Sequence, residues 1–168
     1  MLTKIEIFIN AVNEAVGRCV AWLVSAMVII TFLIVVLRYG FNFGSIAVQE
    51  SVVYLHAIVF MLAIAYTYKH NAHVRVDIFY SGFSKYKKAW IDFLGTLLLL
   101  IPFCVYLIVA SWEYAGNSWL LLEGSREAGG LPLVYLLKTL VPLMPALLLL
   151  QAVATLCHCV QTVTTKRK

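Results

Sequence analysis

The chain has 168 residues, 62% of them hydrophobic and only 12% charged, with a formal net charge of +5 and a mean hydropathy of +0.91. A soluble domain is about 45–50% apolar and about 25% charged, and a single core in water cannot hide this much apolar surface, so the main solvent is lipid. The lysines and arginines gather between apolar stretches instead of interleaving with aromatics, a pattern of membrane topology and not of nucleic-acid binding.

In chain order, Leu2, Ile5, Ile9 and Val12 share one helical face, while Lys4, Asn10 and Asn13 point elsewhere and Ile7 interrupts the stripe. This suits a short amphipathic lead-in. The first span is CVAWLVSAMVIITFLIVVL (19–37), which has no charge and twelve Val, Leu, Ile or Phe residues. At roughly 0.3–0.6 kcal/mol each, these favour insertion by about 4–7 kcal/mol. Lys4 and Arg18 form a basic flank, but the apolar run exceeds the about 7–15 residues of a signal-peptide core and no small-x-small site follows. It is expected to be a retained span, closed by Arg38.

Glu50 opens the second span, SVVYLHAIVFMLAIAYTY (51–68). His56 lies about 8 Å along it, and a neutral imidazole bonded to a neighbouring helix is expected. HNAHVRVD (70–77) follows. His73, Arg75 and Asp77 alternate with Val74 and Val76, so an extended segment would set the polar groups on one side for contact with a protein neighbour; a solvated turn is the other reading. DIFYSGFSKYKKAWIDF (77–93) then places Phe79, Phe83, Tyr86 and Trp90 at helical spacing. The expectation is an interfacial helix over about 78–91, with Lys85, Lys87 and Lys88 toward anionic headgroups and Trp90 at the membrane surface.

The third span is FLGTLLLLIPFCVYLIVASW (93–112), and EYAGNSWLLLEGSREAGG (113–130) connects it to the fourth. The connection carries Glu113, Glu123 and Glu127 against Arg126, with Trp112 and Trp119 as interfacial anchors. The fourth span covers about 131–157, with Pro132 suited to a first turn. Pro102, Pro142 and Pro145 do not argue against spanning, because membrane helices tolerate proline. With no repeat or linker, residues 1–168 read as one four-helix transmembrane domain.

Ten of the thirteen lysines and arginines fall in the N-terminus, in the connection between spans two and three, and in the tail. Arg38 and Arg126 lie on the other side and Lys138 within span four. The positive-inside rule then puts both termini in the cytoplasm. Arg38, Glu50 and Lys138 have similar depths near the outer face, where they would form a polar cluster or else snorkel separately. Cys19, Cys104, Cys157 and Cys159 have no C-x-x-C spacing, so buried free thiols are expected rather than a disulfide framework or zinc. No nucleophile–base pair, phosphate loop or nucleotide motif indicates an enzyme, and no interrupted short span marks a transporter's own substrate site. A helper subunit fits best, without catalytic residues, cofactor or metal.

RYGFN (38–42), Glu50, HVRVD (73–77) and GGLPLVYLLKTLVPLMPALLLLQ (129–151) occur in this order. Together they resemble the small membrane subunit of tripartite ATP-independent periplasmic (TRAP) transporters, over roughly residues 15–160. The resemblance implies a multi-pass protein of the bacterial or archaeal inner membrane. Its partners would be a large permease subunit holding the substrate and sodium sites and a periplasmic binding protein delivering an organic acid, with membrane lipids around and no nucleic acid. The small subunit would be a scaffold bracing the static part of the large one. On that reading Arg38, Glu50 and Lys138 stabilise the outer layer, and His73, Arg75 and Asp77 fix the inner turn. Lys85, Lys87, Lys88 and Trp90 hold the membrane surface, and Glu113, Glu123 and Glu127 face the binding protein. Another class is a four-span redox protein with haem or quinone at His70, His73 and His158; a stand-alone regulatory protein of four spans is a third.

Overall fold

The computed structural model describes residues 2–74, 80 and 82–165. Its elements are α1 (Leu2–Phe41), α2 (Ile46–Lys69), α3 (Lys85–Gly95), a π-helical turn (Thr96–Leu100), α4 (Ile101–Leu120) and α5 (Val134–Thr165). Because α3, the π turn and α4 run on without a break, there are four rods, each long and apolar enough to cross a membrane. No strand occurs among the described residues. The expected all-α architecture of four transmembrane helices is present.

The bounds differ from those expected. The lead-in and first span form one 40-residue helix, about 60 Å long at 1.5 Å per residue. Residues 75–79 and 81, which include part of the expected interfacial helix, lie outside the described residues. Ser84 caps a helix that begins only at Lys85, accepting a bond from the Lys87 N–H, and this helix continues into the third span instead of standing apart. Pro132 precedes α5, which starts at Val134.

Local chemistry explains the joints. Ahead of Pro102, whose ring cannot share a normal helical turn with the carbonyl four residues back, the helix widens and the Ile101 N–H bonds to the Thr96 carbonyl. Such π turns are often found at functional positions. The end of α2 is set by Asn71 at φ 52°, with Ala72 N–H bonded to the Thr67 carbonyl and Asn71 N–H to that of Tyr68. Asparagine accepts this left-handed geometry readily. The end of α4 repeats the motif with Leu122 at φ 44°, where a leucine costs about 1–2 kcal/mol.

The packing centre is α5, which meets all the other elements, while neither α1 nor α2 packs on α4. A third of α5's most apolar stretch is buried, against none of α2's. The interior is made of small side chains: Ala65, Cys104, Ala152 and Ala154 are at most 1% exposed. This is how helices associate in lipid, where close backbone approach replaces the hydrophobic drive. Among the glycines the tightest approach is at Gly17, where a Cβ would collide with the Tyr66 ring. Cys104, Cys157 and Cys159 are buried free thiols as expected, but Cys19 is exposed on α1.

Candidate functional site: polar layers at both ends of the bundle

The outer-end cluster expected from depth does not form. Arg38 is exposed, with no ion pair among the described residues. Glu50 instead folds against the connection between α4 and α5: it accepts a short hydrogen bond from the Ser125 hydroxyl and one of 2.6 Å from the Leu131 N–H. Gly130 permits this, since a Cβ there would lie 2.5 Å from Ser125 Oγ and 2.8 Å from Glu50 Oε1. Lys138 pairs with Glu123 at 2.5 Å and lies 4.2 Å from the centre of the Tyr114 ring. Glu123 also accepts from the Ser118 hydroxyl at 2.7 Å. The Lys138 ammonium first, and Ser118 second, hold its carboxyl below the usual carboxylate range. Of the three outer glutamates, Glu123 is therefore turned inward, while Glu113 and Glu127 are exposed.

At the opposite end, sequence reasoning missed a second layer. Asn13 is 1% exposed and Gln151 4%. Asn13 Nδ2 donates to Gln151 Oε1 at 2.7 Å, and Gln151 Nε2 donates to Asn10 Oδ1 at 3.0 Å, while Asn13 Oδ1 has no partner. One turn on, Glu14 accepts from Lys69 at 2.7 Å and Arg18 at 3.1 Å, and sits 3.0 Å from His70 Nε2. Near the end of α5, Glu6 lies 3.2 Å from His158 Nδ1 and accepts from Gln161. The lead-in thus turns Asn10 and Asn13 toward the bundle together with Ile9 of the expected stripe, while Ile5 of that stripe is exposed. Residues 6, 10, 13 and 17 recur at helical spacing, and this was the signal available: in lipid it is the polar stripe that turns inward.

His70 and His158 are held by Glu14 and Glu6, eight residues and about 12 Å apart along α1, so they do not face one another. His73 is exposed, with Nε2 3.3 Å from the Ile64 carbonyl. This arrangement does not assemble the haem or quinone site considered above. Arg75 and Asp77 lie outside the described residues. Among the described residues His56 makes no hydrogen bond to another helix: it is exposed and stacks on Phe60 of its own helix at 6.3 Å, beside Met27, Val28 and Thr31 of α1. Lys85 and Lys87 are exposed, Lys88 half-buried over the Tyr80 ring, and Trp90 exposed with its ring edge-on to Phe93.

A bundle so fastened carries wide outer faces of exposed apolar side chains. The family of tripartite ATP-independent periplasmic transporters, DctQ component, matches residues 27–162. The chain belongs to this family. It is similar to a Haemophilus influenzae Rd protein named as a TRAP transporter small permease protein, 33% identical over 113 residues, covering 67% of each chain. No solved structure matches it. As a DctQ-family chain it is a multi-pass membrane protein and a transporter component.

Proposed function

We propose that the chain is the non-catalytic scaffold subunit of a sodium-gradient-driven TRAP transporter taking up organic acid anions. It lies in the bacterial or archaeal inner membrane with both termini cytoplasmic, an orientation supported by the ten basic residues at one end. Its α1–α2 face seats the large permease subunit. The observation that carries this is His56, about 15 Å from the start of α2 and about 20 Å from its end, hence near mid-depth. There an imidazole pointing outward into hydrocarbon is costly, whereas against a partner helix it finds a hydrogen bond. Beside it Val28 and Val53 stand 63% and 59% exposed, an apolar surface for shape-matched packing.

On this reading Glu50 and Lys138 brace the outer connection, leaving Glu113 and Glu127 free to meet a periplasmic binding protein and Arg38 free to reach the large subunit. His73, with Arg75 and Asp77, fixes the inner turn, and Lys85, Lys87, Lys88 and Trp90 rest on headgroups. The test is co-purification with the large subunit and sodium-dependent uptake in cells. Val53→Trp and His56→Trp should both lose the large subunit and uptake together while the chain stays helical. Normal co-purification with normal uptake in both variants would refute this face.

A further inference from the structure

At the end of the bundle holding the termini, a cavity of about 1310 Å³ opens between the α3–π–α4 rod and helices α1, α2 and α5. Its lining divides by chemistry. One part is polar: Glu6, Lys69, Asp92, Tyr68 and Thr96. The other is apolar: Leu98 and Leu99 of the π turn and Phe103 beyond it, which are 63%, 72% and 55% exposed. Along the rod the order runs from Asp92 through Thr96 to Phe103, so the polar part lies toward the bundle end and the apolar part toward its middle. From Asp92 to Phe103 is about 16 Å of helix, the reach of a headgroup with the upper part of an acyl chain.

The charge is equally directional. With histidine neutral, the lining carries two carboxylates, Glu6 and Asp92, against one ammonium. That ammonium, Lys69, is already paired with Glu14 and with the Asn10 carbonyl, and Glu6 is engaged by His158 and Gln161. Asp92 accepts from the Tyr80 hydroxyl at 2.6 Å, and the Tyr68 and Thr96 hydroxyls meet at 3.1 Å. A cation is therefore favoured near Asp92, and an acceptor for hydroxyl and ammonium donors near Tyr68, Thr96 and Lys69.

We propose that this cavity binds one phospholipid with a primary-amine headgroup: its ammonium sits at Asp92, its phosphate at Lys69 and the two hydroxyls, and an acyl chain lies along Leu98–Phe103. An anionic glycerol headgroup would bring its phosphate without a cation to two carboxylates, and is disfavoured. The π turn has a role here, because widening the helix turns consecutive leucines toward the cavity.

The test is native mass spectrometry of the full chain in detergent, titrated separately with phosphatidylethanolamine and with phosphatidylglycerol of the same chains. The amine lipid should be retained roughly tenfold more, the worth of one charge-assisted contact. Leu99→Trp, filling the apolar part, and Asp92→Asn, removing one carboxylate, should each cut its retention by about the same factor. Leu121→Trp, outside the cavity, should leave it unchanged. Glycerophosphoethanolamine, the headgroup without chains, should not compete. Equal retention of the two lipids, or retention unaffected by both Leu99→Trp and Asp92→Asn, would overturn the assignment. So would competition by the chain-free headgroup, or a photo-crosslinker at Leu99 that captures the large subunit in the complex.

Discussion

The two ends of this bundle, outer and inner in the orientation proposed above, are fastened in different ways. At the outer end one carboxylate, Glu50, holds a connecting segment through Ser125 and the Leu131 N–H, and a lysine within the last helix holds Glu123 where α4 stops. These bonds tie loop to helix. At the inner end Asn10, Asn13 and Gln151 tie α1 to α5, and Glu14 with Lys69 and His70 ties α1 to α2. These bonds tie helix to helix. Where apolar association has no water to drive it, side chains that must find each other select one helix arrangement. The inner end therefore sets how the rods pack, while the outer end shapes the surface offered beyond the membrane.

The comparison breaks most severely at Gly17, where α1 packs directly on the Tyr66 side chain of α2. Any Cβ there collides with Cγ and Cβ of Tyr66 as well as its ring edge, so rotation of the tyrosine does not relieve it. Gly17→Ala should force α1 and α2 apart and cost about 3 kcal/mol, the upper part of the range for overpacked sites. Thermal unfolding in detergent reads this. An unchanged midpoint would mean that the α1–α2 crossing does not hold the inner end.

A smaller loss isolates the amide pair. Gln151→Leu leaves Asn13 Nδ2 and Asn10 Oδ1 buried without their partner and should cost about 1–3 kcal/mol. Adding Asn13→Leu removes one stranded group and should recover part of that loss. If the double variant is as unstable as the sum of the singles, the pair is not coupled and α1 is held to α5 by packing instead.

The spans were legible because uninterrupted apolar runs of this length have few other uses. The lead-in shows a physical limit of periodicity. Of its apolar stripe Leu2, Ile5, Ile9 and Val12, Ile9 is buried and Ile5 exposed, while Asn13, off the stripe, is among the most buried residues. In lipid the apolar residues face the solvent, so periodicity locates a helix without saying which face is inside. The outer cluster failed for another reason. Arg38, Glu50 and Lys138 share a depth, but depth does not specify azimuth, and the partners that Glu50 and Lys138 took came from residues 123–131, whose path no periodicity describes. The thiols show the same limit: Cys104, Cys157 and Cys159 face inward and Cys19 outward, though all four stand in similar sequence.

At the outer end the effects are expected to be local. Glu50→Ala should release the connection around Ser125–Leu131, raising its amide exchange while α1, α2 and α5 keep their protection. Uptake should fall with weakened assembly. Arg38→Ala, which removes no ion pair among the described residues, should leave exchange unchanged and affect assembly alone. If Glu50→Ala loosened the inner end as much as the outer, the two ends would be one cooperative unit.

The smallest expected effect is the pH response of Glu123. Its folded carboxyl titrates below its unfolded value, so its contribution is complete above the ordinary glutamate range of about 4.3 and disappears as pH falls through the lower folded value. Protection of the segment after α4 should therefore be flat from neutral to mildly acidic pH and decline only in stronger acid. Glu123→Gln should lower the neutral plateau slightly and flatten that decline, because the neutral amide keeps a bond to Ser118 but loses the charge opposite Lys138. The inner end supplies the control: amides of α5 around Gln151, whose bonds to Asn13 and Asn10 carry no titrating group, should not follow the same curve. An acid decline that survives in Glu123→Gln would mean that another carboxylate governs this segment, and the separation between a loop-fastening end and a helix-fastening end would then rest on Glu50 alone.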